Sequence, residues 1–209
     1  MKRDSVKITK ASGEQVPFSE EKLKVSLHRS GASNEVIASV IEEVKRELYE
    51  GMPTKNIYKL AFGLLKKAST HYAARYKLKS AIMELGPSGF PFEKYFSEIM
   101  KFRGYRTEVG TTVEGQCVSH EIDVIASKDS DFFMIECKYH NYPGISCDVK
   151  IPLYINSRFK DVEVTWKKLP GHDILRHQGW LVTNTKFTDD AIQYANCAGL
   201  HLVGWNYPV

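Results

Sequence analysis

The chain has 209 residues, 43% hydrophobic and 26% charged, which supplies the core of one generous domain or two small ones and excludes a disordered composition. A net charge of +4 permits a nucleic-acid partner without demanding one. No apolar run approaches the roughly 18 residues of a spanning helix, and MKRDSVKITK lacks a signal-peptide core, so the expectation is a soluble cytoplasmic protein with no membrane partner.

The first elements in chain order are two short strands in VKITKASGEQVPFS, separated by a Ser-Gly turn. Ser19 is placed to cap a helix beginning Glu20-Glu21-Lys22, with its acids at the positive end of the dipole and Gly31 as its stop. A second helix over about 34–50 carries Val36, Ile37, Val40, Ile41, Val44 and Leu48 at helical spacing. A third runs from Thr54 through Leu65, and a basic fourth follows in HYAARYKLKSAIMEL. Lys66, Lys67, Arg75, Lys77 and Lys79, with Tyr72 and Tyr76 between them, suit phosphate contact, although such a run is also an ordinary solvated face.

LGPSGFPF, residues 85–92, marks the domain boundary, giving domains 1–88 and 89–209. Beyond it the pattern becomes mixed α/β. An amphipathic helix carries Phe92, Phe96, Ile99 and Met100 and ends at Gly104. With Phe92 at zero, Met100 falls at about 80° and Glu93 at about 100°, bordering the buried stripe, while Glu98 falls at about 240° on the solvent side. YRTEVG reads as a strand. VKIPLYINSRF, within the stretch 148–170, contains a proline and reads neither as helix nor as strand. GWLVT, DDAIQYANCA capped by Thr188 and closed by Gly199, and LHLVGW form a strand–helix–strand unit, the usual source of a parallel crossover.

Between these lies HEIDVIASKDSDFFMIECKYH, residues 120–140, a hairpin with unexpected charge. A loop at Lys128–Asp131 places Ser127 across from Phe132 and Asp123 across from Glu136, with Lys138 two residues further on the same face. Ile122, Val124, Phe133, Ile135 and Cys137 then fill an apolar face. Two carboxylates that close repel unless a cation separates them. Lys138 alone makes a partly buried ion-pair cluster. Adding Mg²⁺ or Mn²⁺ makes a site able to activate water for phosphodiester hydrolysis, with Glu93 as a third acid. His120 is either a second-sphere base or a polar strand-edge residue. Cys117-x-x-His120 and Cys137-x-x-His140, with Cys147, have zinc-compatible ligand types, but the four cysteines read better as buried thiols.

FEKYFSEIMKFRGY, EIDVIA, FFMIECKYH and LVTNTKFTDDAIQYANCAGLHLVGW, in that order over about residues 90–209, resemble the PD-(D/E)xK nuclease superfamily, and within it the Mrr-type restriction endonucleases and archaeal Holliday-junction resolvases. The resemblance implies metal-dependent DNA cleavage by a restriction-endonuclease-like fold with a central mixed sheet, with Glu93, Asp123, Glu136 and Lys138 as its catalytic set and the three acids as metal ligands. It also implies DNA as the partner, Gln178 as a substrate or support contact, and a homodimer, because two strands are cut. Arg158, Lys160, Lys167, Lys168, Arg176 and His177, interleaved with Tyr154, Trp166 and Trp180, are the candidate DNA-binding residues.

In the first ninety residues VKITKASGEQVPFSEEKLKVSLHRSGA and the later AARYKLKSAI resemble the ATP-cone, a nucleotide-binding regulatory domain. The resemblance implies ATP or dATP as effector, held by Lys10, Lys22 and the turn amides around Gly13. Ala11 stands where that domain usually carries arginine, and alanine cannot clamp a phosphate. The fold class expected is therefore α/β: a small, mostly helical ATP-cone-like domain followed by a nuclease-like domain. The reading from another class is a catalytically inert, nucleotide-responsive DNA-binding or assembly module.

Overall fold

The structure is a computed structural model that describes residues 6–142, 144–205 and 207–208. The first half of MKRDSVKITK lies outside the described residues. The chain divides into two compact units, Met1–Ser80 and Ala81–Val209.

In the first unit β1 (Lys7–Thr9) and β2 (Gln15–Pro17) pair antiparallel, with Ile8 across from Val16. Gly13 makes the intervening turn at φ +84°, a conformation open to glycine without a Cβ clash. A strand absent from the sequence reading, β3 (Met52–Pro53), adds parallel to β1 through Ile8 and Met52. Four helices follow the predicted order: α1 (Glu20–Arg29), α2 (Asn34–Glu47), α3 (Thr54–Ala68) and α4 (Thr70–Met83). Ser19 caps α1 by accepting from the Lys22 amide at 3.3 Å, and Ser33 does the same for Val36. The helices bury Leu27, Val44, Ala61 and Leu65 completely. Tyr76 belongs to that core, stacked on Tyr58 with ring centroids 4.9 Å apart, so it is not a phosphate-facing tyrosine.

The sequence puts the boundary in the Gly/Pro cluster, but the contacts divide earlier, within α4. Ile82 and Leu85 already pack with the second core. Tyr139 explains this: its hydroxyl donates to the Met83 carbonyl at 2.8 Å and accepts from the Gly86 amide at 2.8 Å.

The second unit is a mixed five-stranded sheet with helices on both faces. Its elements are α5 (Phe90–Phe102), β4 (Arg106–Glu114), β5 (Ser119–Lys128), β6 (Asp131–Lys138), β7 (Ser146–Cys147), α6 (Lys150–Trp166), β8 (Arg176–Thr183), β9 (Lys186–Phe187), α7 (Asp189–Ala198) and β10 (His201–Val203). The order across the sheet is β10-β8-β6-β5-β4, with β7 and β9 forming a separate pair. β10, β8 and β6 run parallel, β8–α7–β10 being the expected crossover, and β5 and β4 are antiparallel. Alternation along β6 and β8 separates two cores. Phe133, Ile135, Trp180 and Val182 pack with Phe92, Phe96 and Met100 of α5. Met134 and Leu181 pack with Phe159, Val162 and Trp166 of α6 and with Ala191 and Ala195 of α7.

The stretch 148–170 contains the longest helix, α6. Pro152 sits in its first turn, where the missing N–H would have had no partner, so it does not break the helix. Trp166 and Trp180 are buried core residues rather than stacking platforms for bases. Of the thiols, Cys147 is buried, but Cys117 and Cys197 are exposed, the former in the β4–β5 turn and the latter on the outer side of α7. Ile122 packs with the α6/α7 core and not with Val124. The change falls at Asp123, where Gly110 of β4 stands in the gap of the register at φ +63°. No described helix is long and apolar enough to cross a membrane.

Candidate functional site

The hairpin register agrees with the sequence count: Ser127 pairs with Phe132, and the β5–β6 ladder runs to Val124 and Ile135. There it stops, one step short of a backbone pairing between Asp123 and Glu136. The Asp123 carboxylate instead accepts the Cys137 amide at 2.7 Å, a side chain standing where a ladder bond would be. The two strands thus fork at the end that carries the acids. Lys138 is the last residue of β6 there, aligned with Thr183 of β8.

Helices bring further residues to that fork from both faces. Glu93 lies in the first turn of α5, half-buried as the helical wheel predicts, whereas Glu98 is exposed and paired with Lys101 at 2.7 Å. From α6 comes Arg158, whose Nη1 lies 2.5 Å from Glu136 Oε1. That contact is a close ion pair between two largely buried side chains.

The electrostatics of the fork are those of crowded carboxylates. Burial, then the charge of Asp123, pushes Glu136 up, against the pull of the Arg158 charge and hydrogen bond. Burial, then the charges of Asp123 and Glu121, pushes Glu93 up to about 7. Burial also raises Asp123, opposed by the Cys137 amide and by the charges of Arg158 and Lys138. All these shifts penalise anionic charge, and a bound cation would relieve them.

Arg158 is held by residues that the sequence does not assemble. Its Nη2 donates to the Glu121 carbonyl, its Nε donates to His120 Nδ1 at 3.5 Å, and its guanidinium lies 5.5 Å from the Tyr154 ring centre. His120 Nε2 in turn meets Asp161 Oδ2 at 2.8 Å. With Nδ1 accepting from Arg158, Nε2 is the nitrogen that donates to Asp161. Asp161 also accepts the Cys117 and Val118 amides at 2.9 and 3.3 Å. Cys117 therefore lies with Asp161 at the β4–β5 turn. Beyond Lys138, Asn184 extends the sheet: its Oδ1 accepts from the His140 amide and its Nδ2 donates to the His140 carbonyl, both at 2.8 Å. A buried Asn just after a parallel strand is the signal that could have found it.

The remaining candidates lie elsewhere. Gln178 aligns with Phe133, three register positions from the Leu181 partner of Glu136, or about 10 Å along the strand. Lys167 follows Arg158 by nine residues, about 13 Å down α6, and pairs with Glu163 at 2.8 Å, with Lys168 next to it. Lys160 also pairs with Glu163, and Arg176 pairs with Asp131. His177 meets His172 at 3.1 Å beside Phe132.

In the first unit a cavity of about 240 Å³ opens beneath the β1–β2 hairpin. Lys10 and Lys22 line it with Phe18, Thr54, Tyr58 and Tyr76; Gly13 is outside the lining, at the tip of the hairpin. Lys10 Nζ also bonds Glu14 at 2.8 Å. Apolar walls with two ammonium groups suit a ligand that has an aromatic body and an anionic end.

Comparison with known families decides the nature of this unit. Residues 6–82 match the ATP cone domain. The cone accounts for the hairpin, the four helices and the cavity between them. A curated relative from Archaeoglobus fulgidus, described as an uncharacterized protein, is 40% identical over 112 residues, 54% of this chain and 59% of the relative. The crystal structure of protein of unknown function AF1548 superposes with a TM-score of 0.51 at 37% identity, over 58% of this chain and 60% of that one. The chain thus spans about three-fifths of the length of these relatives. The MspJI restriction endonuclease in complex with a 27-mer oligonucleotide overlaps at a TM-score of 0.36 and 14% identity, over 65% of this chain and 30% of that one, a similarity too low to bear on function.

Among the described residues no three His, Cys, Asp or Glu side chains are gathered into a ready cation cage. The donor chemistry at the fork still fits a hard divalent ion: oxygen ligands and carboxyls pushed up by burial and by one another.

Proposed function

We propose that the chain is a metal-dependent endonuclease that hydrolyses DNA phosphodiester bonds at the fork between β5 and β6, under the control of ATP or dATP bound to the cone. The supporting observation is the convergence of Asp123, Glu136 and Glu93 with Lys138 at one end of the sheet, with the acids pushed toward neutrality by burial and by one another. Asp123, Glu136 and Glu93 are the residues that would hold Mg²⁺ or Mn²⁺. Such an ion supplies Lewis acidity toward a phosphoryl oxygen and a lowered pKa for water.

The chain's own residues account for the rest. The Cys137 amide fixes the Asp123 carboxylate by donating to its Oδ2. Lys138, at the end of β6, would supply positive charge for the phosphoryl transition state and help to orient an attacking water. Asn184 holds the following backbone and so keeps that strand end in place. Arg158, Lys167, Lys168 and Gln178 are the proposed DNA contacts, Arg158 at the acids and the others further out. In the cone, Lys10, Lys22 and the turn amides around Gly13 would face the nucleotide phosphates, and the tyrosine-walled cavity would face the base.

The second reading is an inert, nucleotide-responsive DNA-binding module. The Arg158–Glu136 ion pair favours it, because a guanidinium already stands on a proposed metal ligand. The separating experiment incubates the protein with Mg²⁺ or Mn²⁺ and linear, supercoiled, methylated, single-stranded and four-way-junction DNA, with and without ATP or dATP. Cleavage lost in both Asp123→Ala and Lys138→Ala supports the nuclease. DNA or nucleotide binding without cleavage of any substrate supports the inert module.

A further inference from the structure

The acid fork contains a cation of its own. Arg158 uses its whole guanidinium: Nη1 toward Glu136, Nη2 to the Glu121 carbonyl, Nε to His120 and one face near Tyr154. Its side chain is only 14% exposed and held in one place beside the acids. Three of these contacts are anchors at backbone, imidazole and ring. The fourth is the close ion pair with Glu136. None of the three anchors involves Glu136, so they persist when that pair is broken.

Glu136 Oε1 cannot face a guanidinium nitrogen at 2.5 Å and also offer its lone pair to a divalent ion in the same direction. Two cations that close also repel strongly in a partly buried site. Resting on the hydrolase reading above, we infer that Arg158 is the resting counter-ion of Glu136 and that a divalent cation must displace it, so that metal binding and the Arg158–Glu136 pair exclude each other. The anchor through His120 to Asp161 keeps the guanidinium beside the site after displacement, where it faces whatever anion the metal brings.

The test measures Mn²⁺ binding to the full chain by electron paramagnetic resonance and calorimetry, for wild type, Arg158→Met, Arg158→Lys and the double variant Arg158→Met/Glu136→Gln. Competition predicts binding about tenfold tighter in Arg158→Met than in wild type, within the usual range of linked equilibria. The charge-preserving Arg158→Lys stays near wild type, and the double variant loses the gain. Equal or weaker binding in Arg158→Met, or a gain that survives Glu136→Gln, overturns the inference. Thermal melts cover a variant weakened by its unpaired acid. Arg158→Met should melt lower than wild type in chelator and gain more from Mn²⁺, and if it is unfolded without metal, Mn²⁺ should refold it. Failure of Mn²⁺ to do so also overturns the inference. DNA cleavage in the same samples separates the two ideas: tighter Mn²⁺ binding without cleavage leaves the counter-ion and removes the nuclease, whereas cleavage with no gain in binding does the reverse.

Discussion

His120 Nε2 and Asp161 Oδ2 lie 2.8 Å apart and join the start of β5 to the middle of α6. The His120 hydrogen bond, followed by those of the Cys117 and Val118 amides, holds the Asp161 carboxyl down at about 2. Asp161→Ala should therefore loosen the β4–β5 turn and the Arg158 anchor together. Hydrogen exchange should accelerate at the Cys117 and Val118 amides, and DNA cleavage should fall about tenfold, the scale of lost support around a catalytic group. Unchanged exchange at both amides would refute this role.

The fork should also make stability depend on pH. Glu93 keeps its proton to about 7, against an ordinary value of 4.5. A carboxyl whose folded pKa is raised contributes stability that is complete below the unfolded value and lost as the pH rises through the folded one. In metal-free protein the urea midpoint should decline from about pH 5 to about pH 7 through this group. Glu93→Gln should flatten that decline, and an undiminished slope in the variant would contradict the assignment.

Metal binding at neutral pH should release protons for the same reason. Calorimetric titration of Mn²⁺ at pH 7 in buffers of different ionisation enthalpy should give a negative slope, the sign of proton release, that shrinks in Glu93→Gln. A slope of zero would mean that the Glu93 carboxyl is not a ligand.

In the cone, Lys10→Ala and Lys22→Ala should each weaken ATP and dATP binding. Restoring the phosphate clamp with Ala11→Arg should strengthen it by about 1.5–3 kcal/mol, roughly ten- to a hundredfold. Calorimetry or a fluorescent nucleotide reads all three. ATP affinity indifferent to both lysines would place the nucleotide outside this cavity.

Packing predictions rest on burial alone. Phe133 is 1% exposed and stacks on Trp180 at 4.9 Å, so Phe133→Ala should cost about 3–5 kcal/mol in denaturant unfolding. Asn184→Ala should cost about 1–3 kcal/mol, because the His140 amide and carbonyl lose their partner in a buried setting.

Local rules of the chain determined much of this protein without tertiary help. Ser19 and Thr188 cap helices because a hydroxyl before an acidic first turn accepts an orphan amide wherever the helix later docks. The spacing around Phe92 aimed Glu93 inward and Glu98 outward, and the turn count set the β5–β6 register, because both depend only on periodicity. The cone was legible from Lys10, Gly13, Phe18 and Lys22 for the same reason: its residues lie close together in sequence. What only the tertiary structure decided lies between distant segments. α6 looked broken because Pro152 disrupts the pattern, while its place in the first turn makes it harmless. Without that helix, Arg158 could be listed only as one base among several, and the chain Asp161–His120–Arg158–Glu136 could not be drawn. Trp166 and Trp180 looked like nucleic-acid platforms until two faces of one sheet buried them. Sequence periodicity fixes which way a side chain leaves its own element; which charge it then meets depends on where the sheet and its covering helices bring the other elements.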